Sequence, residues 1–168
     1  MVGELQNNCN NLNLTSPIHA CSISDYNSED ADLALAVFTV LSYSTTDDEL
    51  LKSINNICKH IKPEGYFFFD LPKKVFFEQP QIEVVEGEFK RSVELRKTEL
   101  PNVYTYNEIC SGNLNGQEFE YTEVFNIRYW EIDTLHKILI ENGLKRIDKN
   151  FFKFENTGSS YYLYQKNG

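Results

Sequence analysis

Residues Asp32–Pro72 read DLALAVFTVLSYSTTDDELLKSINNICKHIKPEGYFFFDLP. Leu33-Ala34-Leu35-Ala36-Val37-Phe38 is a near-continuous apolar run, the pattern of a strand covered on both faces. Phe67-Phe68-Phe69, bounded by Gly65 and Pro72, carries the same signal. Between them Leu50, Ile54, Ile57, Cys58 and Ile61 recur at three- and four-residue spacing, which predicts a helix with one apolar stripe. Thr46 and Glu49 form a capping box at its start, and Pro63 and Gly65 stop it. Strand, helix and strand in this order make a βαβ unit of a parallel sheet. Sites in such sheets open beyond the carboxyl ends of the strands, which marks Val37–Tyr43 and Asp70–Pro72.

Outside this unit the organisation changes twice. Residues Gly3–Leu12 predict a weak helix, Pro17–Ile23 a short strand and Ser24–Ala31 a polar loop. From Gln81 to Trp130, β-branched, aromatic and charged residues alternate in part without a helical period. Leu100-Pro101-Asn102 and Asn113-Leu114-Asn115-Gly116 supply turn signals, the second with the Asn-Gly pair of tight hairpins. Three antiparallel strands are expected, near Glu88–Lys97, Val103–Cys110 and Glu118–Trp130. They either extend the core sheet at its edge or form a lid over the strand ends. Ile132, Leu135, Ile138 and Leu139 then form a helix face stopped by Asn142-Gly143. Leu144–Phe154 and Tyr161–Gln165 predict a closing hairpin joined by the Asn156–Ser160 turn.

Composition fits one domain over residues 1–168, with an α/β core at 1–80 and 131–168 and the β insertion at 81–130. A chain of 168 residues with 41% hydrophobic content can bury a core of its own. The net charge of −9 speaks against nucleic acid as a partner, since phosphates call for a basic stripe. No apolar run approaches the ~20 residues of a membrane span, and MVGELQNN lacks the features of a signal peptide, so the expected compartment is the cytoplasm. The four cysteines and three histidines are scattered without metal or redox spacing, and no metal site is expected. Cys21 and Cys58 read as small buried hydrophobes.

Taken in order, several of these motifs resemble the class I S-adenosylmethionine-dependent methyltransferases. The residues concerned are Asp32-Leu33-Ala34-Leu35, then Ile61-Lys62-Pro63-Glu64-Gly65 before the apolar strand Tyr66–Asp70, then Arg128-Tyr129-Trp130, and Glu141-Asn142-Gly143-Leu144 before the terminal hairpin. The Phe38–Tyr43 loop and the β-rich insertion are most similar to small-molecule members, the sugar-nucleotide N,N-dimethyltransferases and the glycine N-methyltransferase group. The resemblance implies a Rossmann-like α/β sheet with an antiparallel insertion and a C-terminal antiparallel hairpin. It implies S-adenosylmethionine as cofactor, a small-molecule methyl acceptor and no metal.

The family's Gly-rich loop has no counterpart, since no G-x-G occurs in the chain, and the acidic residue that holds the ribose hydroxyls is missing as well. The sequence is therefore expected to be N-terminally truncated by ~60 residues or more at typical element lengths. It is either a fragment of a longer enzyme or a shortened domain serving as a partner or scaffold. Loss of central strands would expose an apolar sheet edge, through which, or through the β insertion, a homodimer is expected. S-adenosylhomocysteine is expected to bind weakly or not at all.

Site residues follow from the same resemblance. Ser22, with Asp25 in the following loop, falls where the family recognises adenine, and Phe38 and Tyr43 fall where it lines the methionine portion. Burial preference reads Phe38 as core ahead of ligand, whereas Tyr43 is balanced between the two. Asp70 at a strand end could orient an amine or take its proton as general base, or simply cap the strand. Arg128 could grip an anionic substrate group bidentately or pair with an insertion glutamate. Phe76, Phe77, Tyr104, Tyr106, Phe119 and Tyr121 pack the meander, although Tyr faces can also surround a methylatable cation. The expected function is methyl transfer to nitrogen or oxygen of a small molecule, with Asp70 and Tyr43 catalytic. The alternative is a non-catalytic methyltransferase-like subunit that binds another protein.

Overall fold

The computed structural model describes residues 2–15, 17–27, 29–147 and 157–168. The βαβ unit forms where the pattern places it: β1 (Ala31–Ala36), α2 (Asp47–Lys59) and β2 (Ile61–Pro72), with α1 (Val2–Asn11) preceding them. The α2 cap is reciprocal, Glu49 N donating to Thr46 Oγ1 at 3.2 Å and Thr46 N to Glu49 Oε2 at 3.1 Å. β1 and β2 are parallel, and their register jumps from Ala31↔Ile61 to Leu33↔Tyr66. The Lys62–Gly65 segment takes up this slack as a bulge. Gly65 is required there, because a Cβ would meet the Lys62 carbonyl oxygen at 2.9 Å and that of Asp32 at 3.0 Å.

Two further strands complete this sheet in the order β1-β2-β8-β7, with β7 (Leu144–Arg146) and β8 (Ser159–Lys166) antiparallel to their neighbours. The turn into β7 is made by Gly143 at φ 78° after α4 (Ile132–Glu141). The core lies on one face of the sheet. Ile54 and Cys58 of α2 and Leu135 and Leu139 of α4 pack there with Phe67, Phe69 and Tyr164. Lys166 Nζ ties the carboxyl end of α2 to β2 by donating to the carbonyls of Cys58 (2.8 Å) and Ile61 (2.6 Å).

Several expectations are corrected. β1 is not covered on both faces: Ala36 is buried, whereas Leu35 is 62% exposed and Leu33 and Tyr66 are exposed beside it. Leu33 and Leu35 point to the face opposite the core, where they stay exposed. Pro17–Ile23 is not a strand. It has no sheet partner and runs into a 3-10 turn over Ile23–Asp25, where Asn56 Nδ2 donates to the carbonyls of Ile23 and Tyr26, each at 2.8 Å. The carboxyl part of the expected Leu144–Phe154 strand, and Asn156 of the following turn, lie outside the described residues.

The insertion does not extend the core sheet. It forms a second sheet of four strands rather than three, in the order β3 (Gln81–Glu86), β4 (Phe89–Lys97), β5 (Val103–Leu114) and β6 (Gln117–Arg128). Asn115 and Gly116, both at positive φ, make the β5–β6 hairpin turn. Phe77 from the short helix α3 (Lys74–Glu78) fills a second core with Val93, Leu95, Tyr106 and Ile127.

Burial of Cys58 in the first core pushes its thiol from 9.0 up to about 12. Above pH 9 the unfolded chain releases this proton while the folded chain keeps it, so stability falls as pH rises from 9 toward 12. Denaturant unfolding across this range should show that slope, and Cys58→Ala should reduce it whatever its effect on stability at neutral pH. An unchanged slope in the variant would contradict the burial of this thiol.

Candidate functional site

The carboxyl ends of β1 and β2 are joined by an uncommon turn. Directly after β1 the chain places Phe38 (φ 63°) and Thr39 (φ 61°) in the left-handed region, which costs non-glycine residues roughly 1–2 kcal/mol each. The Thr39 amide then donates to Asp70 Oδ1 at 3.0 Å. Asp70 is 2% exposed, and its Oδ2 takes no hydrogen bond from the described residues. Phe38 is 87% exposed. It is thus not a core residue, and its side chain does not account for the backbone conformation. Strain of this kind collects at functional sites, where the surroundings hold it.

This turn borders a cavity of about 340 Å³ between the strand ends of the first sheet and the inner face of the second. That volume falls in the range of small-molecule sites. Phe38, Thr39, Tyr43 and Asp70 line it from the first sheet's side. From the second come Arg91, Tyr106, Glu108, Glu123 and Phe125. The rings form a continuous wall, with Tyr43 and Phe125 centroids 5.0 Å apart and Phe125 and Tyr106 stacked at 4.7 Å. Arg91 is ion-paired with Glu108, and its Nη2 donates to the Tyr106 hydroxyl at 2.9 Å. That hydroxyl donates in turn to Glu108 Oε2 at 3.2 Å. Burial, with Glu123 and Glu108 adding to it, raises the Tyr43 phenol above its ordinary value; Tyr106 is pushed up to about 12, chiefly by burial. Both phenols are therefore neutral hydroxyls at physiological pH.

The structure brings together three of the sequence-derived site residues, Phe38, Tyr43 and Asp70, and leaves three elsewhere. Arg128 does not line this cavity. Its guanidinium donates to the Thr45 carbonyl (3.2 Å) and to Asp47 Oδ1 (3.1 Å) and stacks on the Trp130 ring at 3.9 Å. It clamps β6 to the start of α2, so neither of its expected partners, a substrate anion or an insertion glutamate, engages it. Ser22 and Asp25 also lie apart, with Ser22 Oγ donating to Asp25 Oδ2 at 2.6 Å on an exposed turn. Ser22 borders a different cavity of about 330 Å³ beside His19, Tyr26 and His60. Sequence reading passed over Arg91, Glu108, Glu123 and Phe125. A signal was present in the period-2 spacing of Tyr106-x-Glu108 and Glu123-x-Phe125, which places each pair on one face of a hairpin strand. No three His, Cys, Asp or Glu side chains among the described residues are placed to hold one metal ion.

No protein-family profile and no curated protein matches this sequence. Solved structures do. An S-adenosylmethionine-dependent methyltransferase from Clostridium acetobutylicum superposes with a TM-score of 0.83 at 18% identity, over 99% of this chain and 71% of that one. The CcbJ methyltransferase from Streptomyces caelestis gives 0.76 at 13% identity, over 100% and 71%. A sugar N-methyltransferase from a Streptoalloteichus species gives 0.69 at 11%, over 99% and 69%. What is shared at such identities is the fold, the Rossmann-like α/β arrangement of class I methyltransferases.

Because Phe38 contributes strain rather than packing, Phe38→Gly should leave unfolding stability unchanged or raise it by about 0.5–1 kcal/mol, the left-handed penalty less the entropy of glycine. Equilibrium denaturation measures this directly. A loss of the ~3–5 kcal/mol typical of buried Phe truncation would show that the ring is packed.

Proposed function

We propose that this chain acts in the transfer of a methyl group from S-adenosylmethionine to nitrogen or oxygen of a small molecule, and that the cavity between the two sheets is its acceptor site. The observation that carries this reading is the position of the cavity. It lies at the carboxyl ends of β1 and β2, against a strained turn and a buried carboxylate, in a fold shared with methyltransferases. When bound, the cofactor supplies an electrophilic methyl group whose sulfur leaves without acid or metal.

The described residues fit the acceptor better than the cofactor. The chain has no G-x-G turn, and Ser22 and Asp25 bond to one another outside the cavity. The chain's own residues serve the acceptor as follows. Asp70, fixed by Thr39, keeps one oxygen available to orient the nucleophile or accept its proton. Tyr43 offers a neutral hydroxyl and one face of the aromatic wall. The second sheet roofs the strand ends, and positioning and exclusion of water are its contribution to rate. A second reading, a non-catalytic methyltransferase-like subunit, is favoured by the outward Leu33 and Leu35 of β1, an exposed apolar face on which a protein partner could sit.

Incubation with S-adenosylmethionine and a panel of small amines and alcohols, with S-adenosylhomocysteine followed by mass spectrometry, separates the two. The first reading expects acceptor-dependent product, reduced roughly 10²-fold or more by Asp70→Asn, the lower end of general-base contributions, with melting temperature retained. Asn can still accept from the Thr39 amide, so the turn should survive the change. Tyr43→Phe should also lower turnover without unfolding the chain. Full activity in both variants would move the site elsewhere, and no product with any acceptor would favour the non-catalytic subunit.

A further inference from the structure

The inner face of the second sheet carries an arrangement that the fold alone does not explain. Glu108 of β5 and Glu123 of β6 are direct cross-strand partners, and both face the cavity. Like charges placed directly opposite one another destabilise a sheet. The next pair on the same face is Tyr106 opposite Phe125, whose rings continue onto Tyr43. Buried Asp70, with Oδ2 unpartnered among the described residues, faces the same space from the opposite wall. Of the described residues lining the cavity, Arg91 alone is cationic, and it is already committed to Glu108 and Tyr106. Glu123 has no cationic partner among the described residues. Among the described residues, three carboxylates and one committed guanidinium thus line a pocket walled by aromatic rings.

We propose that the cavity selects a positively charged, amine-bearing acceptor, its ammonium held between the Glu108–Glu123 pair and Asp70 and its carbon substituents against Tyr43, Phe125 and Tyr106. This rests on the acceptor-site reading above and narrows it from nitrogen or oxygen to nitrogen. A cation relieves the repulsion across β5 and β6, and aromatic faces attract the same charge. The raised Tyr43 phenol, with Glu123 and Glu108 among its causes, agrees that both carboxylates act on this space. An ammonium must lose one proton before its lone pair can attack a methyl group. The Asp70 carboxylate, opposite the glutamates, is placed to take that proton from nitrogen.

The test compares two probes of the same shape, choline and its uncharged carbon isostere 3,3-dimethylbutan-1-ol, titrated into the full chain by calorimetry and followed through the tyrosine ring resonances. Choline should bind at least roughly fivefold more tightly, within what cation–aromatic and carboxylate contacts supply. It should shift the Tyr43 and Tyr106 signals. Glu123→Gln, an exposed change that leaves the Arg91–Glu108 pair in place, should bring the ratio of the two affinities close to one. Equal affinities in the wild-type chain, failure of both probes to bind, or a preference untouched by Glu123→Gln would each overturn the proposal. The readout needs neither cofactor nor turnover. Choline selectivity without methyl transfer would sink the catalytic reading alone, and methyl transfer to neutral alcohols without choline selectivity would sink only this one.

Discussion

One hydrogen bond, from the Thr39 amide to Asp70 Oδ1, ties together the carboxyl ends of the two parallel strands on which the site is built. Two left-handed non-glycine residues in succession do not persist without such a restraint. The bond depends on register: Ala36 stands beside Phe69, which brings Asp70 level with the chain as it leaves β1. That register is set by the Lys62–Gly65 bulge at the other end of the pair, where only a glycine lets the two backbones approach. The reach extends from a close backbone contact at the base of the sheet to the shape of the cavity at its top.

The second sheet is held over those strand ends by contacts that converge on the segment between β1 and α2. Trp130 donates to the Ser44 carbonyl at 3.0 Å, Arg128 to Thr45 and Asp47, and Tyr43 meets Phe125. Arg128 sits on the Trp130 face, which adds a cation–aromatic contact to its hydrogen bonds. The segment Phe38–Glu49 therefore carries the strained turn, the helix cap and the anchor of the roof. The polar part of this attachment is made outside the cavity, by Arg128 and Trp130, and the Tyr43–Phe125 contact is the part made within it.

The sequence made the βαβ unit legible because periodicity, capping box and Pro/Gly punctuation all agree between Asp32 and Pro72. The Asn115-Gly116 hairpin and the Gly143 cap were equally plain, each being a position where backbone conformation selects the residue. Other features depend on partners distant in sequence. Pro17–Ile23 has strand-like composition but no strand to pair with among the described residues, and Asn56 bonds the carbonyls of Ile23 and Tyr26 instead. β1 reads as doubly covered, yet its outward leucines are exposed because local pattern does not reveal which neighbours a strand has. Arg128 left a substrate anion and an insertion glutamate both open as partners, and only the fold shows Thr45 and Asp47 within its reach. For Glu108 and Glu123 the missing fact was register, since the hairpin sets face to face two carboxylates that are far apart in sequence.

The dependence of the site on the Asp70 restraint is tested most directly by amide hydrogen exchange at Thr39, measured by NMR in the wild-type chain and in Asp70→Ala. Thr39 should be protected well beyond its exposed neighbour Phe38 in the wild type. In the variant it should lose that protection while the amides of Phe67 and Phe69 keep theirs. Unprotected exchange at Thr39 in the wild type, or protection unchanged when the carboxylate is removed, would contradict the role assigned to Asp70.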